Sequence, residues 1–558
     1  MCAADPTADD TPQSTSDDVS TDASESRWRR VRRAARRVIW TRVAVDTRSL
    51  AAVRIGLAGT LLVDLGWRAG SLKRFYTDAG VYPLAVHEAA YGELARLSLH
   101  ALSGAVWVQW VLVLLAAMLA LAFGLGYRTR LTGALSLLLL LSVHVRNPAV
   151  LNGGDRLLRV LFVVALATPL GERWSVDALR RGSARERVAT AGTTALLAQP
   201  LVVFAINAVE KHAGSTWYGG DALAIALANA AIATPLGAAV ADHGGIATAL
   251  TYGWVVLLVG APVLLLAPVG RYRLVSVAAY LSAFVGMALS VSVGVFPLAL
   301  TTAVLAFVPT AGWETLARHW PSTSSRWRPS PSALGPLVRQ PVGRRVLGTL
   351  RQQQGGPSND ASAEPTPAEP TSVEPTPAEP TSAEPTSAEP TLAGGRVLAT
   401  VFGWVVLAWL LVFAAGTVGV VDLPDRLDDD RVNQQRWGLY APDPTTTYSW
   451  YTTAVRLANG STVRVGDERA DRPPDHGAVY PSVRHRKFMS AVGRAAPDGP
   501  VAIGYADWAC GRVAVRHDAP VERITVVRVT QEVAAGGPAG SPTSRPVVER
   551  PCAVEANG

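Results

Sequence analysis

Apolar runs close to twenty residues long recur along the first half of the chain and return once near residue 400. Runs of that length match the hydrocarbon thickness of a bilayer. They predict transmembrane helices at about 49–68, 104–126, 129–145, 156–170, 193–210, 247–268, 273–291, 294–310 and 396–420. One further stretch, ALAIALANAAIATPLGAAVA at 222–241, is Ala-rich and broken by Pro235 and Gly237. Loop charge decides its role. With the Arg-rich N-terminal flank inside, the loops YRTR (127–130), ERWSVDALRRGSARER (172–187), GRYR (270–273) and the Arg-rich segment 318–351 are all inside, provided 222–241 does not cross. The expected topology is nine crossings with 222–241 re-entrant or interfacial, a cytoplasmic N-terminus and an extracytoplasmic C-terminus.

Residues 1–26 are rich in Asp, Ser and Thr with no apolar core, which predicts a disordered tail rather than a signal peptide. Residues 27–42 form a basic juxtamembrane segment, and 43–318 the main transmembrane domain. From 319 to 395 runs a cytoplasmic linker with six EPT copies, starting at Glu364 and repeating every five residues to Glu389. Pro at that density blocks helix and sheet, so an extended spacer is expected. The final span, 396–420, leads into a domain at 421–558 with alternating apolar and polar positions on both sides of Asn459-Gly460, a hairpin signal. The expected fold class is an all-α polytopic transmembrane helical bundle with a small external β-rich C-terminal domain. Outside the cell, Cys510 and Cys552 could pair as a disulfide, and Asn459-Gly460-Ser461 could accept a glycan; a free thiol pair and an unused sequon are the alternatives.

The formal net charge of +8 does not point to nucleic acid, because the Arg residues cluster beside apolar runs, as in RWRRVRRAARR at 27–37. Membrane orientation and contact with the lipid bilayer account for them better. The three Cys residues have no metal-ligand spacing, and no metal site is expected. Among 52 basic side chains, only Lys73, Lys211 and Lys487 are lysines. Arg stays protonated in proteins, whereas a desolvated Lys can lose its proton and act as a base.

The expected sidedness gathers the unusual polar residues on one face. The loop 69–103 brings Asp78; HVRNPAVLNGGDR brings His144, Arg146, Asn147, Asn152 and Asp155; VEKHAGSTWYGGDAL brings Lys211 and Trp217. Asn207 lies four residues before Lys211, on the same helix face. Arg54 and Asp64 sit in the first predicted span, ten residues or about 15 Å apart, so each needs a partner on another span. Converging polar groups at membrane depth tend to mark a site. Two plainer readings compete: Lys and Trp at a span end anchor a helix to the interface, and Asn-Gly-Gly-Asp caps the next helix.

The stretches LAAVRIGLAGTLLVDLGWR, FYTDAGVYP, RNPAVLNGGDRLLRVLFVVALATPLG, INAVEKHAGSTWYGGDAL and VGVFPLALTTAVLAFVPT resemble, in order, the HTTM membrane domain. That domain is shared by vitamin K-dependent gamma-glutamyl carboxylase and by prokaryotic proteins that include the sporulation-delaying protein B group. The resemblance covers about residues 43–318, and QRWGLYAPDP resembles extensions found on some prokaryotic members. It implies that Lys211 is a catalytic base acting on a reduced quinone. The chain departs from the carboxylase pattern in LNGGD, which lacks a His, and in Phe284, which stands where a late span usually has His.

Two functions follow. One is a membrane enzyme in which Lys211 acts as base on a lipid-soluble quinol or an exported peptide; Arg could not replace that lysine. The other is a non-enzymatic membrane factor that matures, escorts or docks an exported partner; it would tolerate Arg and depend on the external domain. A transporter fits least, because the span centres lack an ionisable pathway.

Overall fold

A computed structural model describes residues 40–319, 391–429, 437–466 and 480–552, together with Arg32 and Val38. The expected N-terminal tail and the EPT repeats lie outside the described residues. The chain divides into two units, Met1–Ala317 with Leu398–Gly558, and Arg318–Val397. The first unit holds the long helices and the four-stranded sheet.

Its helices are α1 (Thr47–Ala69), α2 (Val106–Gly124), α3 (Thr129–Arg146), α4 (Gly153–Leu166), α5 (Ala191–His212), α6 (Gly244–Leu266), α7 (Gly270–Ser290), α8 (Phe296–Val304) and α9 (Thr391–Thr417). Among the described residues, α1, α2, α5, α6, α7 and the Val397–Thr417 part of α9 are long and apolar enough to cross a membrane. Three of the nine predicted spans, α3, α4 and α8, are not among them, α8 qualifying only together with the bent segment that follows it. Helix α4 has 14 residues, about 21 Å, because Asn152 starts it with a capping box to Asp155 and it ends before Pro169. It is central rather than lipid-facing: Leu157, Leu158, Leu161, Phe162, Val164 and Ala165 are all fully buried. Helix α8 runs on only to Phe307, where the chain turns by 103° into Thr310–His319.

The stretch 222–241 is two short helices, Ala222–Leu227 and Pro235–Asp242, not one. Pro235 opens the second, and the Thr234 hydroxyl accepts from the Gly237 amide 3.2 Å away. Pro at a first helical position and a hydroxyl cap explain the restart.

The C-terminal part is α+β rather than wholly β-rich. Four antiparallel strands, β1 (Thr447–Leu457), β2 (Thr462–Arg464), β3 (Val521–Ala534) and β4 (Gly537–Pro551), lie in the order β2-β1-β3-β4. Helices α10 (Val483–Val492) and α11 (Pro500–His517) pack against the sheet. The β1–β2 hairpin turns at Asn459-Gly460: Gly460 takes φ +82° and the Asn459 side chain accepts from the Ser461 amide. Prolines 538, 542, 546 and 551 remove donors from the outer strand β4 and blunt that edge. Cys510 of α11 and Cys552, just past β4, are joined as a disulfide.

Period-two alternation gives β1 two working faces. Tyr451, Val455 and Leu457 belong to the main core with Phe488, Met489 and Tyr505 of the helices. On the other face Tyr448 and Trp450 pack with Ala228 and Ala230, from the linker that separates the two short helices. The domain is therefore seated on the transmembrane part, not tethered above it.

Candidate functional site at the domain junction

Two buried polar clusters lie under the C-terminal domain. The first forms around the end of α1. Asp64 and Arg68 are one turn apart on that helix, and the guanidinium Nε donates to Asp64 at 2.7 Å. The same guanidinium donates to Asp155 of α4 at 2.8 Å and to the Tyr76 hydroxyl at 2.5 Å. Arg484 of α10 reaches down from the C-terminal domain onto Asp64, with its second terminal nitrogen 3.6 Å from Asp155. His144 of α3 completes the group, its Nε2 3.4 Å from Asp155. All of these side chains are buried.

Charge counting explains why such a cluster can exist at that depth. Two carboxylates face two guanidiniums, so the charges of these four groups sum to zero; Asp64 accepts from both guanidiniums, and Asp155 accepts from Arg68 and from the Asn152 amide. Asp64, His144 and Asp155 also offer three ligand atoms within 4.8 Å of one another. A divalent cation placed there would meet Arg68 and Arg484 on the same carboxylates, so the donor set suits an ion-pair network better than a metal.

The second cluster forms at the end of α5. Lys211 Nζ donates to the Leu439 carbonyl, lies 4.2 Å from the centre of the Trp217 ring, and is 3.5 Å from Asn207 Oδ1. Asn207 also donates to the Trp437 carbonyl at 2.6 Å, and the Trp217 indole donates to the Tyr440 carbonyl at 3.0 Å. Three successive contacts thus grip the backbone of residues 437–440. Asp443 finishes the grip by accepting from the amides of Ser215 and Thr216, at 3.0 and 2.9 Å, and from the Thr216 hydroxyl. Partial desolvation pushes the Asp443 carboxyl up, but these hydrogen bonds outweigh it and hold it below the ordinary carboxylate range. The arrangement makes Lys211 a donor to neutral groups beneath an aromatic face.

The remaining predicted residues divide. Asn152 caps α4, accepting from Gly154 and Asp155, as the plainer reading anticipated. Arg146 donates to the Tyr82 carbonyl and lies over its ring, and Asn147 donates to the Phe75 carbonyl; both pin the 69–103 loop. Asp78 is exposed and accepts from the Leu84 amide, outside either cluster. Arg54 is elsewhere: it donates to the carbonyls of Gly124, Leu170, Arg173 and Trp174, at the other end of α1 from Asp64. The expectation that Asp64 needs a partner on another span is corrected in part, because Arg68 on its own helix supplies one.

Sequence reasoning missed Arg68, Arg484 and Asp443. The Asp64–Arg68 spacing of four was readable in DLGWR. Arg484 was not: it lies 420 residues from Asp64.

Residues 43–313 match the HTTM domain family. The matched segment contains both membrane-side clusters up to Trp217, whereas Arg484 and residues 437–443 lie beyond it. Neither a curated protein nor a solved structure matches the chain. Among the described residues six helices have spanning length and apolarity, and together with the HTTM-domain match they indicate a multi-pass integral membrane protein.

Proposed function

We propose that this protein is a non-enzymatic membrane factor, of the sporulation-delaying protein B-like kind, whose HTTM segment is a base for an extracytoplasmic C-terminal domain that docks an exported partner. The positive-inside reading of the loops supports the sidedness. One observation carries the proposal: Lys211, the residue that a carboxylase-like site would need as base, is spent on the Leu439 carbonyl. Trp217 and the Ser215–Thr216 amides hold the same segment. The Lys–Trp motif therefore works as a clamp on the chain's own extension.

The competing reading makes Lys211 a base towards a lipid-soluble quinol. Its support is that the amine touches the neutral Leu439 carbonyl, the Asn207 amide oxygen and the Trp217 face, and it requires residues 437–443 to withdraw. Comparing Lys211→Arg with Lys211→Ala separates the two. Arg can still donate to a carbonyl and lie on an indole, but cannot act as a base. On the clamp reading, Arg keeps the phenotype lost on gene deletion with only a partial fall in hydrogen-exchange protection of 437–446, and Ala loses both. If Arg keeps the protection but not the phenotype, at matched membrane levels, Lys211 is a base and the proposal fails.

A further inference from the structure

Where the C-terminal domain meets the HTTM segment, a cavity of about 1100 Å³ opens between α1, α7, α8, α10 and α11. That is slightly above the usual size range of small-molecule sites, roughly 300–1,000 Å³. Its walls have two characters. Trp67, Trp110, Val291, Val293, Pro297 and Leu298 form an apolar side. They come from the ends of α1, α2, α7 and α8 and the turns beside them. Trp67 and Trp110 are 51% and 41% exposed in the bare protein, as expected of indoles in a membrane interface.

The charged part of the lining is cationic apart from Asp155, whose carboxylate is paired with Arg68. Lys73 and Arg74 follow α1, and Arg484 and Arg512 come from the C-terminal domain. Arg484 is committed to Asp64, yet its Nη1 is buried without a hydrogen-bond partner among the described residues. Lys73, Arg74 and Arg512 form no ion pair with a described residue, and Arg512 rests over the Trp508 ring. His485 beside them is held down to about 4 by burial and by Arg74, so it stays neutral and offers a donor without adding charge.

We infer that this cavity binds an amphiphile with an anionic, phosphate-type headgroup, its chain lying along the Trp67–Leu298 wall and its headgroup among Lys73, Arg74 and Arg512. Three uncompensated cations facing an apolar wall at an interfacial belt favour a charged head on a hydrocarbon chain. Basic pockets between transmembrane helices recognise anionic lipid heads by the same physics. The site rests on the docked arrangement proposed above, because Arg484, His485 and Arg512 reach it only from a seated C-terminal domain.

The test uses the full-length protein in mild detergent and two short-chain probes, dioctanoyl phosphatidylglycerol and dioctanoyl phosphatidylcholine, with adducts read by native mass spectrometry. The anionic lipid should bind at least tenfold more tightly. Lys73→Gln and Arg512→Gln should each reduce its affinity about fivefold, since a cation near the membrane surface contributes on that order. Equal binding of the two lipids, or unchanged affinity in both variants, overturns the inference. Glycerol 3-phosphate competing as well as the lipid overturns it too, since the site would then be a simple anion site. Hydrogen-exchange protection of 437–446, read on the same samples, separates failure of this site from failure of the clamp.

Discussion

Removing the Arg484 side chain tests how the C-terminal domain is held. In the native protein Arg68 and Arg484 share Asp64 and Asp155, all buried, and the four charges cancel. Arg484→Met keeps most of the apolar stem but leaves two buried carboxylates facing one guanidinium. An uncompensated buried charge of this kind costs about 3–5 kcal/mol. That corresponds to roughly 200- to 4,000-fold more frequent undocking of α10. Adding Asp64→Asn to that variant restores a zero sum, because Arg68 and Asp155 remain paired at 2.8 Å. The double variant should therefore recover about half or more of the loss, a coupling within the range for residues in one network. Hydrogen exchange across 483–492 in purified protein measures undocking directly. The reasoning is refuted if the two substitutions simply add, so that the double variant is worse than either single one.

Asp443 gives a pH dependence whose sign follows from its lowered folded-state pKa. The stabilisation is complete above the unfolded value of about 3.9 and is lost as pH falls through the folded value. Exchange protection of 437–446 should thus be flat from pH 8 to 5 and fall only in acid below that, and Asp443→Asn should flatten the acid limb. The disulfide closes a loop with a sequence separation of 42, for which chain entropy gives about 4 kcal/mol. Cys552→Ser should lower the thermal midpoint of the C-terminal domain by several degrees, and mass spectrometry of the native protein should find no free thiol at either position.

What was legible in the sequence was whatever depends on local periodicity. The long apolar helices α1, α2, α5, α6, α7 and α9 lie where the runs of near twenty residues place them. The Asn459-Gly460 turn needs a residue that accepts positive φ, and Gly460 supplies it. Where burial rather than length governs, the pattern misleads. Helix α4 is as apolar as a span, but it is short and enclosed by other helices, and hydropathy alone cannot distinguish protein neighbours from lipid. Helices α10 and α11 escaped for a related reason: each buries a narrow stripe against a sheet whose strands are distant in sequence, so no long apolar run announces them.

The site shows the same boundary more sharply. Asn207 and Lys211 were joined by helical spacing, and they do share a face. What the amine touches could not be read, because Leu439 lies 228 residues further on and contributes a carbonyl, which carries no side-chain signature at all. Scarcity of lysine suggested an amine that must lose its proton. The clamp supplies a different physical reason. A compact ammonium on an unbranched stem fits between one carbonyl and one indole face, whereas a planar guanidinium presents five donors that a neutral, buried pocket of three acceptors or faces would leave partly unmet. That argument still predicts that Lys211→Arg is tolerated, at a cost of about 1–3 kcal/mol in docking rather than loss of function. A fall in exchange protection of that size with the phenotype retained is the outcome that distinguishes a fitted clamp from both a generic interfacial anchor, which would lose nothing, and a base, which would lose everything.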